Sequence, residues 1–309
     1  MPTIEEKRVY TESAGTVELA VASDLGLVCV DVSDDFVGEF GIALRDGCRD
    51  VTSVDGALAA ATDEDVLVAP PGSETFAPTA FGPAASVSAH GGDLLALSPD
   101  GTVGRLADLH EVLVSGDESE SESEGTAGAP DHDGWREVGQ VGDARRLDGD
   151  LLAAADGVYR VADGLVPAGL TDVRDVASAG VPRCATGAGL YRLGNGWLDD
   201  LSGAFRLVAG SDDGRANAVG VVADDGVTDG GDAEDSDTDT SGDDERLFAL
   251  DDGEWRAVES PVPEAVAGVA YGDAATYVVS EAGTLAVDAG DGWRTQALGV
   301  RGVAALAVR

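Results

Sequence analysis

Arginine returns to one place in this chain. CRDV (48–51), ARRL (144–147), VRDV (173–176), FRLV (205–208) and VRGV (300–303) each put an arginine two residues ahead of a Val or Leu that belongs to an apolar run. A guanidinium is planar, permanently charged and able to grip a carboxylate or phosphate with two parallel N–H bonds. Arg49, Arg145, Arg174, Arg206 and Arg301 are therefore candidate binding residues for an anion, with Arg146 able to slide into the register of Arg145. Two further runs carry alanine there, Ala85 ahead of Val87 and Ala267 ahead of Val269. Asp50 and Asp175 directly follow two of the arginines, so pairing of each arginine with an acidic neighbour is the competing reading.

Other chemistry has less to stand on. The stretch DSDTDTSGDD (235–244) alternates Asp235, Asp237 and Asp239 like an oxygen-rich Ca²⁺ loop. It lacks the glycine after the third aspartate and a properly spaced terminal Glu, so a solvated acidic loop is expected. His90, His110 and His132 fall in unrelated contexts. No HExxH, GxSxG or phosphate-cradling glycine loop occurs, and no pair of carboxylates stands out for glycoside hydrolysis. Tyr159 and Tyr191 follow Gly in apolar runs and read more plainly as packing aromatics than as nucleophiles. Cys29, Cys48 and Cys184 are an odd set without CxxC spacing and suggest neither a disulfide framework nor zinc. No cofactor or metal is expected.

The elements that must position the arginines are short. VRDVASAGVPRCATGAGLYRLGNGWLDDL, from Val173, divides into an apolar run with Arg, a small-residue run, an aromatic run after Gly, and Gly-Trp. The same four segments recur from Ala265, from Phe205 with an insertion, and from Cys48 without the Trp; two more copies begin near Ala84 and Ala144. The period is about 30–36 residues. Segments of roughly 5–8 residues, rich in Val, Leu and Ala and bounded by Gly or Asp, are strands. Four strands per repeat, arranged radially, make a β-propeller. The chain opens on TVELAVASDLGLVCVDVSDDFVGEFG, three strands without a first, and ends on VRGVAALAVR, a first strand without the rest. The expectation is an all-β, seven-bladed propeller of four-stranded blades, closed by the C-terminal strand joining the N-terminal blade, as one domain over 1–309. Its inserts at about 115–134 and 224–245 are acidic, nearly free of large apolar residues and expected to be disordered.

Asp and Glu total 59 against 19 Lys plus Arg, a formal charge of −40, and Lys7 is the one lysine. Self-repulsion on that scale opposes compaction unless salt screens it. The absence of a basic footprint argues against nucleic acid. MPTIEEKRVYTESAG is not a signal peptide, and no apolar run is long enough to cross a bilayer. A cytoplasmic monomer is expected.

The turns DHDGW, GNGW, LDDGEW and DAGDGW, which set up Trp135, Trp197, Trp255 and Trp293, resemble degenerate Asp-box turns of the sialidase-like and photosystem-assembly propellers. That resemblance implies tryptophans packed between blades. The acid excess resembles proteins of salt-in haloarchaea, and the chain as a whole is similar to an uncharacterised haloarchaeal β-propeller family, which implies the fold and no activity. The functional expectation is a non-enzymatic scaffold whose Arg-lined channel mouth contacts an unknown protein or an acidic small ligand. The alternative is a hydrolase of sialidase or lactonase type with its site at the same mouth.

Overall fold

A computed structural model describes residues 16–109, 113, 134–223 and 245–309. Among the described residues, twenty-seven strands make six sheets. Four of them are four-stranded meanders, a fifth four-stranded sheet sets Val303–Val308 beside Val17–Ser23, and one has seven strands. The inserts of the repeats, apart from Gly134 and Glu245, lie outside the described residues; the strands on either side of each, Thr102–Leu106 with Trp135–Gln140 and Ala216–Val222 with Arg246–Asp251, pair directly.

The second strand of each sheet explains the small-residue runs. Ala57–Thr62, Leu151–Ala154 and Arg183–Thr186 are buried at every position. A strand covered on both faces reads as a continuous apolar run rather than an alternation, and alanine lets neighbouring sheets approach. The apolar clusters accordingly lie between sheets: Leu19, Val21, Val28 and Val30 pack on Tyr277, Val279, Leu285 and Val287 of the last sheet, and Val54, Ala59, Ala61 and Val68 pack on Val87, Leu94 and Ala96. Outermost strands are mostly exposed, as in Glu254–Val258 and Arg294–Ala297.

The first strands of successive units, Cys48–Val54, Ser86–His90, Ala144–Asp148, Val173–Ala177, the latter part of Gly196–Gly210, Val266–Tyr271 and Val303–Val308, all contribute to one central cavity. That is the arrangement of a β-propeller. Val303–Val308 pairs antiparallel with Val17–Ser23, placing Leu19 opposite Val308 and Val21 opposite Leu306.

The seven-stranded sheet departs from the expected four. Gly196–Gly210 is continuous, pairing with Gly189–Gly194 through its first half and with Ala216–Val222 through its second. No turn separates the two roles because Gly203, at φ +137°, bends the strand in place. A side chain there would run into the Val221 carbonyl oxygen.

Candidate functional site

The recurring arginine is the extra residue of a β-bulge. Cys48 lies opposite Thr62 and Asp50 opposite Ala61, which leaves Arg49 without a partner on the second strand. The same shift isolates Arg145, Arg174 and Arg206, and Ala267 in the Ala-bearing strand. Two residues of the bulged strand then face one of its neighbour, so consecutive side chains are re-aimed. In the last strand the shift falls between Val303 and Ala305. By register it is therefore Ala304 that matches Arg49, and Arg301 lies ahead of the strand, in front of Gly302 at φ +62°.

The arginines divide by what they hold. Arg145 donates from Nη1 to the Asp172 carboxylate at 2.8 Å and to the Val173 carbonyl at 3.0 Å. Arg206 donates from Nε to Glu245 at 2.8 Å and from Nη2 to the Val266 carbonyl at 2.9 Å. Val173 and Val266 each open the next inner strand, so these two arginines clasp one unit to the following one. Arg49 and Arg174 do not. Arg49 grips Asp63 with Nε and Nη2 at 3.0 and 2.8 Å while half-exposed, and that bond holds the Asp63 carboxyl below the usual range. Arg174 reaches Asp172 at 3.4 Å. Arg301 is exposed and makes no ion pair among the described residues.

One residue further along, the chemistry changes. Asp50, Ser86, Arg146 and Asp175 follow the bulge or its equivalent, and all four turn toward the next inner strand. Asp50 accepts from Val87 N at 3.1 Å and from Ser86 Oγ at 2.5 Å. Ser86 Oγ accepts from Leu147 N at 3.0 Å, and Asp175 accepts from Val208 N at 2.9 Å. Arg146 lies between the carboxylates, with Nε 3.3 Å from Asp175 Oδ1 and Nη2 3.8 Å from Asp50 Oδ1. Asp50 and Asp175 are 4% and 5% exposed. Burial pushes both carboxyls upward, Asp175 to about 6, against the opposing pull of Arg146. Burial works against the charge of Arg146 as well, and Asp50, Asp175 and Asp148 together more than offset it. Asp50 and Asp175 thus belong to Arg146 and not to the arginines beside them in sequence. The available signal was Asp, Ser, Arg and Asp in the same slot of four successive repeats.

Above this layer is a cavity of about 530 Å³. On every inner strand its lining lies C-terminal to the bulge or its equivalent position, as in Asp50–Ser53, Arg146–Gly149 and Val208–Asp212. None of Arg49, Arg145, Arg174, Arg206 and Arg301 contributes to it. Asp148 accepts Ser178 N and Oγ at 2.6 and 2.8 Å, and Asp212 accepts Gly180 N at 3.0 Å. Among the described residues no group of three or more His, Cys, Asp or Glu is placed to hold a metal ion. His110, His132 and the 235–244 stretch lie outside them. Cys29, Cys48 and Cys184 are free and buried, and burial pushes the Cys29 and Cys48 thiols to about 12.

The tryptophans reach back across units. Trp135, Trp197 and Trp255 donate from Nε1 to the Thr79 carbonyl, the Ala168 carbonyl and Asp200, at 3.1, 2.7 and 3.0 Å. Trp135 also packs on Phe81 with ring centroids 4.7 Å apart. Trp293 is 40% exposed and faces a side pocket shared with Arg215, Asn217 and Val258.

Solved structures similar to this chain are propellers at low identity. "YCF48 bound to D1 peptide" superposes with a TM-score of 0.51 at 14% identity, covering 81% of each chain. The WD40 β-propeller domain of Doa1 gives 0.51 at 15%, over 81% of this chain and 82% of that one. The computationally designed Ika8 protein gives 0.51 at 11%, over 95% and 91%. At such identity the likeness is one of fold. No curated protein matches the sequence. The family model described as "Beta-prop_HVO_0234:-like, beta propeller" matches residues 3–309, and the chain therefore belongs to the HVO_0234-like β-propeller family.

Proposed function

We propose that this protein is a non-enzymatic binding scaffold, a seven-bladed ring that engages an acidic segment of a partner at the mouth where its inner strands begin. Several observations support the ring. Gly203 divides one long strand into the outermost strand of one unit and the innermost of the next. Val303–Val308 pairs with Val17–Ser23 and also packs on Cys48–Val54 and Val266–Tyr271. Each inner strand thereby touches one on either side. A scaffold role for a propeller has a parallel in the YCF48 structure, whose chain is bound to a peptide.

One observation carries the anionic preference: Arg49 already holds a carboxylate with both arms of its fork while half-exposed. A partner's Asp or Glu replaces Asp63 there at little cost, because an exposed pair is worth about 1 kcal/mol or less. Arg174 and Arg301 extend the contact, while Arg145 and Arg206 hold the blades that present it.

The test is titration of a Glu-rich synthetic peptide into the full chain at moderate salt, against Arg49→Ala and Arg301→Ala. The expected result is saturable binding to the wild type, weakened up to about fivefold by either substitution, as the loss of an exposed ion pair worth about 1 kcal/mol implies. Absence of binding, or equal binding by all three proteins, would overturn the reading.

A further inference from the structure

Three of the four turn tryptophans finish alike, and the fourth does not. Trp135, Trp197 and Trp255 lie within the strands Trp135–Gln140, Gly196–Gly210 and Glu254–Val258. Each packs on an apolar cluster and gives its indole N–H to an acceptor in the preceding unit. Trp293 instead lies ahead of its strand, Arg294–Ala297, and is 40% exposed. Its Nε1 donates to nothing among the described residues. The residues on either side fix it there. Asp288 Oδ1 accepts from Gly290 N at 2.8 Å and from Gly292 N at 3.2 Å, closing the turn before it. Arg294, directly after it, is drawn away to Asp35 and the Phe36 ring in the N-terminal sheet. Where the indole would meet the preceding unit there is a pocket of about 260 Å³, to which that unit contributes Val258 and Glu259.

What the pocket has left to offer selects its ligand. Leu247, Leu250 and Val258 supply apolar surface beside the Trp293 ring. Arg215 borders it as well but is already engaged, lying over the Tyr271 ring. Its guanidinium donates to Asp213 at 2.8 Å, to the Gly272 carbonyl at 2.6 Å and to the Ala275 carbonyl at 2.9 Å. The Tyr271 hydroxyl is likewise given to Asn217 Oδ1 at 2.7 Å. Arg215 and Asp213 cancel in charge, so the charge left over is that of Glu259. It is exposed and has no hydrogen bond or ion pair among the described residues. An aromatic face, an apolar wall and one uncompensated carboxylate call for a cation that carries a flat ring. We propose that this pocket binds an arylalkylamine, with its ring between Trp293 and Val258 and its ammonium on Glu259. An anion is refused, because Glu259 repels it and Arg215 has no fork to spare. Trp293 thereby exchanges the inter-unit contact of its three counterparts for contact with a ligand.

A chain of charge −40 also adsorbs amines over its whole surface, so the probe is run beside a cation that lacks the ring. 2-Phenylethylamine is titrated calorimetrically into the full chain at moderate salt, with butylamine as that control. The expected result is one saturable site per chain for 2-phenylethylamine and weaker binding of butylamine. Glu259→Gln should weaken the site up to about fivefold, as an exposed ion pair implies. Trp293→Ala should weaken it about twofold to tenfold, through loss of ring stacking, and Arg49→Ala should leave it unchanged. Both pocket side chains are exposed, so both variants should keep the wild-type melting transition; if Trp293→Ala does not, Glu259→Gln decides alone. Non-saturable binding, butylamine as tight as 2-phenylethylamine, or wild-type affinity in either folded variant overturns the proposal. The acidic-peptide reading stands or falls separately, because it uses a ligand of opposite charge and residues of the inner strands.

Discussion

Arg49 and Asp50 are neighbours in sequence, as are Arg145 and Arg146, or Arg174 and Asp175, yet the two members of each couple live in different solvents. The first member lies at the bulge, exposed or partly exposed, against carboxylates that water also reaches. The second points inward, where Asp50 and Asp175 are nearly sealed. A Coulomb interaction that is worth about 1 kcal/mol in water grows several-fold as the surroundings become less polarisable, and the cost of desolvating the charges grows with it. A single extra residue in a strand therefore sorts one repeated charged motif into a screened surface set and a buried set. Identical residue types, one position apart, should respond differently to mutation, pH and salt.

The largest difference is expected at Arg146. Arg146→Met removes the one cation that, among the described residues, pairs with Asp50 and Asp175, and leaves two buried carboxylates without a countercharge. Breaking a buried ion pair from one side costs about 3–5 kcal/mol; the partial opening of Arg146 to the cavity, 35% of its side chain, argues for the lower end. The melting temperature at pH 7.5 should fall accordingly, and by less at pH 5, where the orphaned acids take up protons. An Arg146→Met protein as stable as wild type at pH 7.5 would show that the layer carries no buried charge.

The next effect is a titration. The Asp175 carboxyl is raised from 3.8 to about 6, and Asp50 is shifted the same way. Between those limits the folded protein binds more protons than the unfolded chain. Stability from this source is fully present below pH 4, declines as pH rises through 6, and is flat above, with a slope of at most about 1.4 kcal/mol per pH unit per carboxyl. Asp63, Asp172 and Asp213 are held below their ordinary range and act in the other direction, only as pH falls below 4. Relief of the overall negative charge also favours acid, so the measurement is the difference between wild type and Asp175→Asn, which keeps an acceptor for Val208 N. Wild type should gain on that variant between pH 7 and pH 5. Parallel curves would remove Asp175 as the titrating group.

The sequence made some of this legible and hid the rest. Repeated apolar segments bounded by Gly and Asp revealed the strands, because a strand buried on both faces needs an unbroken small-residue run, and Ala57–Thr62 and Leu151–Ala154 are such runs. The arginine at the head of Cys48–Val54 and its counterparts was visible by eye. Its bulge was not, because two residues facing one leaves no mark in residue type. Without the bulge, Asp50 and Asp175 look like partners of Arg49 and Arg174, whereas register gives them to Arg146. The same blindness aligned Arg301 with Arg49, although Ala304 occupies that slot. The turnless passage at Gly203 was hidden for a related reason: glycine marks a turn and a bend alike.

The smallest effects lie among the bulge arginines themselves, where the clasping and free members should separate. Arg174 makes one long exposed contact, 3.4 Å to Asp172, a residue that Arg145 also holds. Arg174→Ala should therefore change stability by about 0–1 kcal/mol. It strands no buried acid, because Asp175 is answered by Arg146 and by Val208 N. Arg206 differs by a neutral acceptor, the Val266 carbonyl at 2.9 Å, which opens the following strand. Its removal adds the loss of a charge-assisted hydrogen bond, for a total of about 1.5–3 kcal/mol. Salt separates the two components. At about 1 M KCl, with a Debye length near 3 Å, exposed ion pairs are screened whereas a hydrogen bond at van der Waals range is not. The Arg174→Ala deficit should then vanish while most of the Arg206→Ala deficit remains, in melts run side by side at low and high KCl. Equal deficits at both salts would mean that the bulge arginines act alike, and that the reach to the next strand contributes nothing.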